Sequence, residues 1–165
     1  MKMMLSSGEE AAGFQEARFI YETNLIACAQ SMHSVADIIS HVIHDSLALE
    51  GIDEEIINLK IVNGALQNGP LKERVTRVLG LAHFRYLEDF VNTSKHIRLV
   101  DSVYSLDFTG EEEIPYGVRF RSFQRNNRTH KQKWGRDFLE EMKQLSVEYI
   151  QLGSAINEHL ILEKS

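Results

Sequence analysis

The chain is poor in cysteine and proline, with one Cys and two Pro in 165 residues. The single thiol, Cys28, excludes an internal disulfide and sits in an apolar run, where it reads as a small core residue. The N-terminal stretch MKMMLSSGEE is too briefly apolar to form a signal-peptide core. Both features set the expectation of a reducing, cytoplasmic location. Scarce proline leaves helices with few interruptions. No apolar run approaches the ~20 residues needed to cross a bilayer, so no membrane partner is expected. Phosphate-binding glycine loops, a nucleophile elbow, paired cysteines and any Glu-x-x-His pair are also missing. Most familiar enzyme classes and a ferritin-like di-iron site thereby lose support. A formal net charge of −6 argues against whole-surface attraction to nucleic acid or anionic membrane.

What is present is a helical pattern interrupted once. Residues 11–49 hold no proline and, after Gly13, no glycine. Within them Tyr21, Leu25, Cys28, Met32, Val35, Ile39 and Val42 step by three and four, the mark of one buried helix face. Gly51 stops that helix. A short helix is predicted from Asp53, a good N-cap, with Ile56, Ile57, Leu59, Ile61 and Val62 as its apolar set. Gly64, Gly69 and Pro70 then mark a turn. Residues 71–99 predict a further long helix, with Val75, Val78, Leu79, Ala82, Tyr86, Phe90 and Ile97 on one broad face.

After residue 99 the period changes to two. Val100, Ser102, Tyr104, Leu106 and Phe108 alternate with their neighbours, and so do Tyr116, Val118 and Phe120. A loop of Thr109, Gly110, Glu111, Glu112 and Glu113 separates the runs, which reads as a β-hairpin over about 100–124. A last helix over about 132–161 carries Trp134, Phe138, Met142, Leu145, Tyr149, Leu152, Ile156 and Leu160 as its core stripe. The expected fold is mainly α: a four-helix-type bundle in one domain, 1–165, with an inserted hairpin. A lone hairpin is marginal in water, so it must pack on the bundle or on a second subunit, which points to a homodimer.

Residues 119–136 contain five arginines, two lysines and no acidic residue, a local +7 inside an acidic chain. Phe120, Phe123 and Trp134 are interleaved with these charges. Guanidinium and ammonium groups displace counterions from phosphate backbones, and aromatic faces stack on bases. Arg119, Arg121, Arg125, Arg128, Lys131 and Lys133 are therefore the candidate nucleic-acid contacts. The alternative is a solvated turn, with the aromatics as core anchors and the charge balanced by the three glutamates across the hairpin.

Within this segment Arg125 with the adjacent Asn126, and His130 separated from that arginine by four positions, resemble the motif of the HEPN ribonuclease superfamily, small helical bundles that usually dimerise. Self-cleavage of RNA by its 2′-hydroxyl needs a base near pH 7, as histidine is, and a cation for the developing phosphorane, as arginine is. Residues 90–96, FVNTSKH, resemble the Asn-x-x-Lys-His element of HEPN-like bacterial proteins, and residues 24–40, NLIACAQSMHSVADIIS, resemble their first helix. On this matching Asn92 and His96 take the polar and histidine positions and Val91 stands where the arginine belongs. Arg85, on one helical stripe with Asp89, Asn92 and His96, is then the substitute cation. The alternative for that stripe is an ordinary solvent-facing Arg85–Asp89 ion pair.

The resemblance implies a bundle that binds RNA or a protein partner such as an antitoxin. It also implies a metal-independent endoribonuclease of a toxin or defence system, with no cofactor. Arg85, Asn92, His96, Arg125 and His130 are its candidate catalytic residues. A non-enzymatic protein-interaction module remains open as the alternative. His33, Asp37, His41 and His44 share one face of the first helix, but a single helix cannot wrap an ion, and we expect no metal site there.

Overall fold

A computed structural model of the chain describes residues 8–96, 99–110 and 113–163. Met1 to Ser7, the predicted core residue Ile97, and two of the loop glutamates, Glu111 and Glu112, lie outside them. Among the described residues the fold is mainly helical: α1 (Gly8–Ser46), α2 (Leu59–Ala65), α3 (Pro70–Gly80), α4 (Ala82–His96) and α5 (Gly135–Glu163). A 3-10 turn, Glu54–Ile56, precedes α2. Between α4 and α5 lie five short strands: β1 (Ser102–Leu106), β2 (Tyr116–Phe120), β3 (Phe123–Arg125), β4 (Arg128–His130) and β5 (Lys133–Trp134). None of the described helices is long and apolar enough to cross a membrane.

The short helix predicted from Asp53 is divided: Asp53 caps only the 3-10 turn, and α2 starts at Leu59. Ile56 is exposed, and Gly64, expected in a turn, lies within α2. Asp53 accepts from the Glu55 amide, and Asn58 accepts from the Lys60 and Ile61 amides, so both are side-chain caps. Pro70 opens α3, where its missing N–H is no loss. The continuous helix predicted over 71–99 is instead broken at Leu81, which is extended (φ −68°, ψ 134°). Gly80 is the physical reason, since it is the weakest helix former in the run apart from proline. The Arg85 guanidinium donates to the freed Gly80 carbonyl and caps the end of α3.

The buried stripe of α5 is the predicted one: Phe138, Met142, Leu145, Tyr149, Leu152 and Ile156 are all buried. On α1 the expected face holds in part: Leu25 is buried and Cys28, Met32 and Ile39 pack half-buried against the core. The buried line also takes in Ala29, Ala36, Ser40 and Ile43, whereas Tyr21, Val35 and Val42 are exposed. Small residues let α1 approach its neighbours closely, and a count of large apolar residues overlooks them. Ser40 tolerates burial because its hydroxyl donates to the Ala36 carbonyl at 2.7 Å.

The predicted hairpin forms, with Val103 opposite Arg119 and Tyr104 opposite Val118, and β5 adds to β2 as a third strand. Residues 123–130, inside the basic segment, form a second two-stranded hairpin, β3 with β4. Its turn is Asn126–Asn127, at φ 50° and 61°. Two successive residues of positive φ make the tight turn whose twist suits a hairpin, and asparagine tolerates it well. The final helix starts at Gly135 rather than near 132, because Lys133 and Trp134 are committed to β5.

Aromatic rings lock these strands to the helices. Phe120 of β2 meets Phe90 of α4 at 4.8 Å and Phe138 of α5 at 5.6 Å, while Phe123 of β3 meets Tyr86 at 5.5 Å. The hairpin is thus covered by its own bundle. The physical argument that it needs a second subunit falls away.

Candidate functional site

The β3–β4 hairpin determines which side chains of the basic segment meet. Strand side chains alternate, and Phe123 pairs with His130 while Arg125 pairs with Arg128. Phe123, Arg125, Arg128 and His130 therefore share the face turned toward α4. Gln124 and Thr129 share the outer face, where the Gln124 amide donates to the Thr129 hydroxyl.

The inner face closes on one carboxylate. Asp89 of α4 is only 1% exposed. Arg128 donates to both of its oxygens, Nε to Oδ2 at 2.8 Å and the second guanidinium nitrogen to Oδ1 at 2.9 Å. His130 Nε2 lies 2.7 Å from Oδ2. A buried charge needs such partners, and the two-pronged arginine fork is the strongest of them. A carboxylate paired in this way only accepts, so His130 Nε2 is the donor of this hydrogen bond. Phe123 stacks on the imidazole at 4.7 Å and Tyr86 meets it edge-on at 5.2 Å. The hydrogen bond to Asp89 pushes the Arg128 guanidinium up from its already high value, so it stays cationic. Arg125 is half-buried, and its Nε is buried without a hydrogen-bond partner.

The other predicted site residues scatter. Arg85 is exposed and serves as the cap on α3, and it does not pair with Asp89. His96 is exposed in the last turn of α4. Asn92 lines a cleft of about 280 Å³ between α1 and α4, shared with His33, Asp37, Asn58 and Glu88. The structure therefore groups Arg125 and His130 on one face and leaves Arg85, Asn92 and His96 apart from them.

The basic segment is also less free than its sequence implies. Arg119 lies over the Trp134 ring at 3.8 Å. Lys133 lies over the Tyr86 ring at 3.8 Å and pairs with Glu141. Arg121 and Lys131 are exposed and make no ion pair among the described residues. Of the first-helix cluster, His33 lies 3.2 Å from Asp37, His44 pairs with Asp45, and His41 is exposed. Among the described residues no group of three or more His, Cys, Asp or Glu stands close enough to hold a metal.

Sequence reasoning missed Asp89 as the anchor of His130. Its signal was a carboxylate three positions after Tyr86 and next to Phe90, on the buried side of α4, a position that demands a cationic partner from elsewhere. No family model, no curated protein and no solved structure matches the chain.

Proposed function

We propose that the protein is a HEPN-like helical bundle that binds RNA through the inner rim of the β3–β4 hairpin and cleaves it without a metal. The observation that carries this reading is the grouping of His130, Arg125 and Arg128 on one face, with Asp89 orienting the imidazole. In this reading His130 Nδ1 takes the proton of a ribose 2′-hydroxyl, and the guanidinium groups meet the charge that builds on the phosphorus oxygens. Asp89 is a positioning residue, since it holds the ring through Nε2. The arginine paired with His130 through that carboxylate is Arg128, and Arg125 stands across the strand from it. Arg121 and Lys131 extend the cationic surface along the bound strand.

The test is a gel assay on labelled single-stranded RNA in chelator. His130→Ala is expected to slow cleavage by about 10²–10⁴ while leaving binding within a fewfold. Arg121→Gln with Lys131→Gln is expected to weaken binding and flatten its salt dependence. His96→Ala is expected to change neither. Wild-type protein that neither binds nor cuts RNA would end the proposal.

A second reading, as a protein-interaction module for a second copy or an antitoxin-like partner, rests on exposed apolar side chains. Ile38 and Val42 follow Val35 along the outer face of α1, and Phe108 beyond β1 is 89% exposed. Light scattering that gives a dimer mass lost on Ile38→Asp supports a homodimer, and a monomer mass at micromolar concentration removes it.

A further inference from the structure

A second feature lies on the far side of the basic segment and shares no residue with the His130 face. Between the first half of α1 and the β1–β2–β5 sheet is a pocket of about 340 Å³. Five aromatic side chains line it: Phe14 and Tyr21 from α1, Tyr104 from β1, Tyr116 from β2 and Trp134 from β5. Phe14 meets Tyr104 edge-on at 4.9 Å, which ties the α1 wall to the sheet wall. Gly117 forms part of the floor at φ +147°, a conformation that disfavours any side chain. A Cβ there would meet the edge of the Trp134 ring at 4.0 Å, an ordinary contact, so the backbone conformation and not lack of space is what favours glycine. Flat walls of this kind suit a flat ring.

The charged lining is all of one sign. Among the described residues Arg18 and Arg136 are the charged side chains of the lining, and no carboxylate lines it. Arg136 donates to the Ile114 carbonyl at 2.6 Å and lies over the Trp134 ring at 4.5 Å, so it is held in the wall. Arg18 is engaged by Glu22 through Nε alone, at 2.7 Å, which leaves its terminal nitrogens as donors at the pocket. A mainly apolar concavity of a few hundred Å³ with a small number of placed polar groups is the usual form of a small-ligand site.

We propose that this pocket binds a small planar aromatic acid, its ring enclosed by the aromatic walls and its anionic group met by Arg18. Guanidinium donors match a carboxylate or phosphate in geometry as well as charge. The occupant is a free small molecule, and the site works independently of RNA.

The chain has one tryptophan, so its single indole N–H signal reports on the pocket without ambiguity. ¹⁵N-labelled protein is titrated with 2-naphthoate, with the neutral 2-naphthamide and with 2-naphthylmethylamine. The expected result is a saturable shift of the Trp134 indole signal with 2-naphthoate, at least fivefold tighter than with either counterpart. Arg18→Gln should bring 2-naphthoate down to the amide's affinity and leave the amide unchanged. Glu22→Gln should tighten 2-naphthoate, because it removes the competing carboxylate. Phe14→Ala should weaken acid and amide alike, and as Phe14 is nearly half-exposed the fold should survive. His130→Ala should leave all of these affinities untouched, which separates this site from the RNA reading. No saturable shift, equal or better binding of the amide or amine, or a preference that survives Arg18→Gln would overturn the proposal.

Discussion

Single residues in this protein are defined by what their polar atoms meet inside. Asp89 satisfies its charge with Arg128 and His130, whereas the hydroxyls of Tyr86 and Tyr149 are buried without a partner, and burial pushes both phenols up. His83 is a comparable case in the opposite charge sense. Its Nε2 is buried without a hydrogen bond, and burial lowers its pKa from 6.5, with Lys133 adding to the shift and Glu141 and Glu148 opposing it. The folded state therefore prefers the neutral ring. Its stabilising contribution is complete above the unfolded value of about 6.5 and is lost as pH falls through the lower folded value. Urea midpoints measured between pH 5 and 8 should drop on the acid side, and drop less in His83→Gln. Equal acid slopes in the two proteins would refute this.

Among elements, the junction of β5 and α5 is tightly packed. A Cβ on Gly135 would lie 2.7 Å from Leu25 Cδ1 and 3.1 Å from the Tyr21 ring. Leu25 is buried at 1% exposure and has little room to retreat. Alanine would favour the helix by up to about 1 kcal/mol over glycine, but forcing a methyl into a packed contact costs about 1–3 kcal/mol. Gly135→Ala should therefore destabilise on balance, and it should also disturb Tyr21 at the edge of the aromatic pocket. A midpoint at or above wild type would show that α1 yields. This junction also illustrates what element-level reading of the sequence reached. The stripe of α5 and the β1–β2 pairing follow from local periods of 3.6 and 2, whereas the glycine's role depends on Tyr21 and Leu25, which precede it by more than a hundred residues.

At the scale of the whole molecule, sheet and bundle share one core through Phe90, Phe120, Phe123 and Phe138. Phe120 is fully buried, so Phe120→Ala should cost about 3–5 kcal/mol. A shared core further predicts one cooperative transition. Trp134 fluorescence reports the sheet and far-ultraviolet dichroism reports the helices, and their unfolding curves should coincide. Separate midpoints would mean that the strands unfold as an independent unit.

By itself the sequence determined the mainly helical class, the inward face of α5, the hairpin between residues 102 and 120, and the location of the positive charge. Those properties are local, because propensity and periodicity act over a few residues. The Asn126–Asn127 turn was equally local, and its signal stood in the sequence as two residues that accept positive φ. On α1 the sequence reached Leu25 and the flank of Cys28, Met32 and Ile39. Tertiary structure decided that Ala29, Ala36 and Ser40 are buried and that Val35 and Val42 are not, since close helix packing selects small side chains. It also decided the partners of Asp89, which come from 39 and 41 positions along the chain. A buried carboxylate announces that it needs a cation. Only the docking of one hairpin on one helix determines which cation arrives, because that pairing is set by three-dimensional distance and not by spacing along the chain.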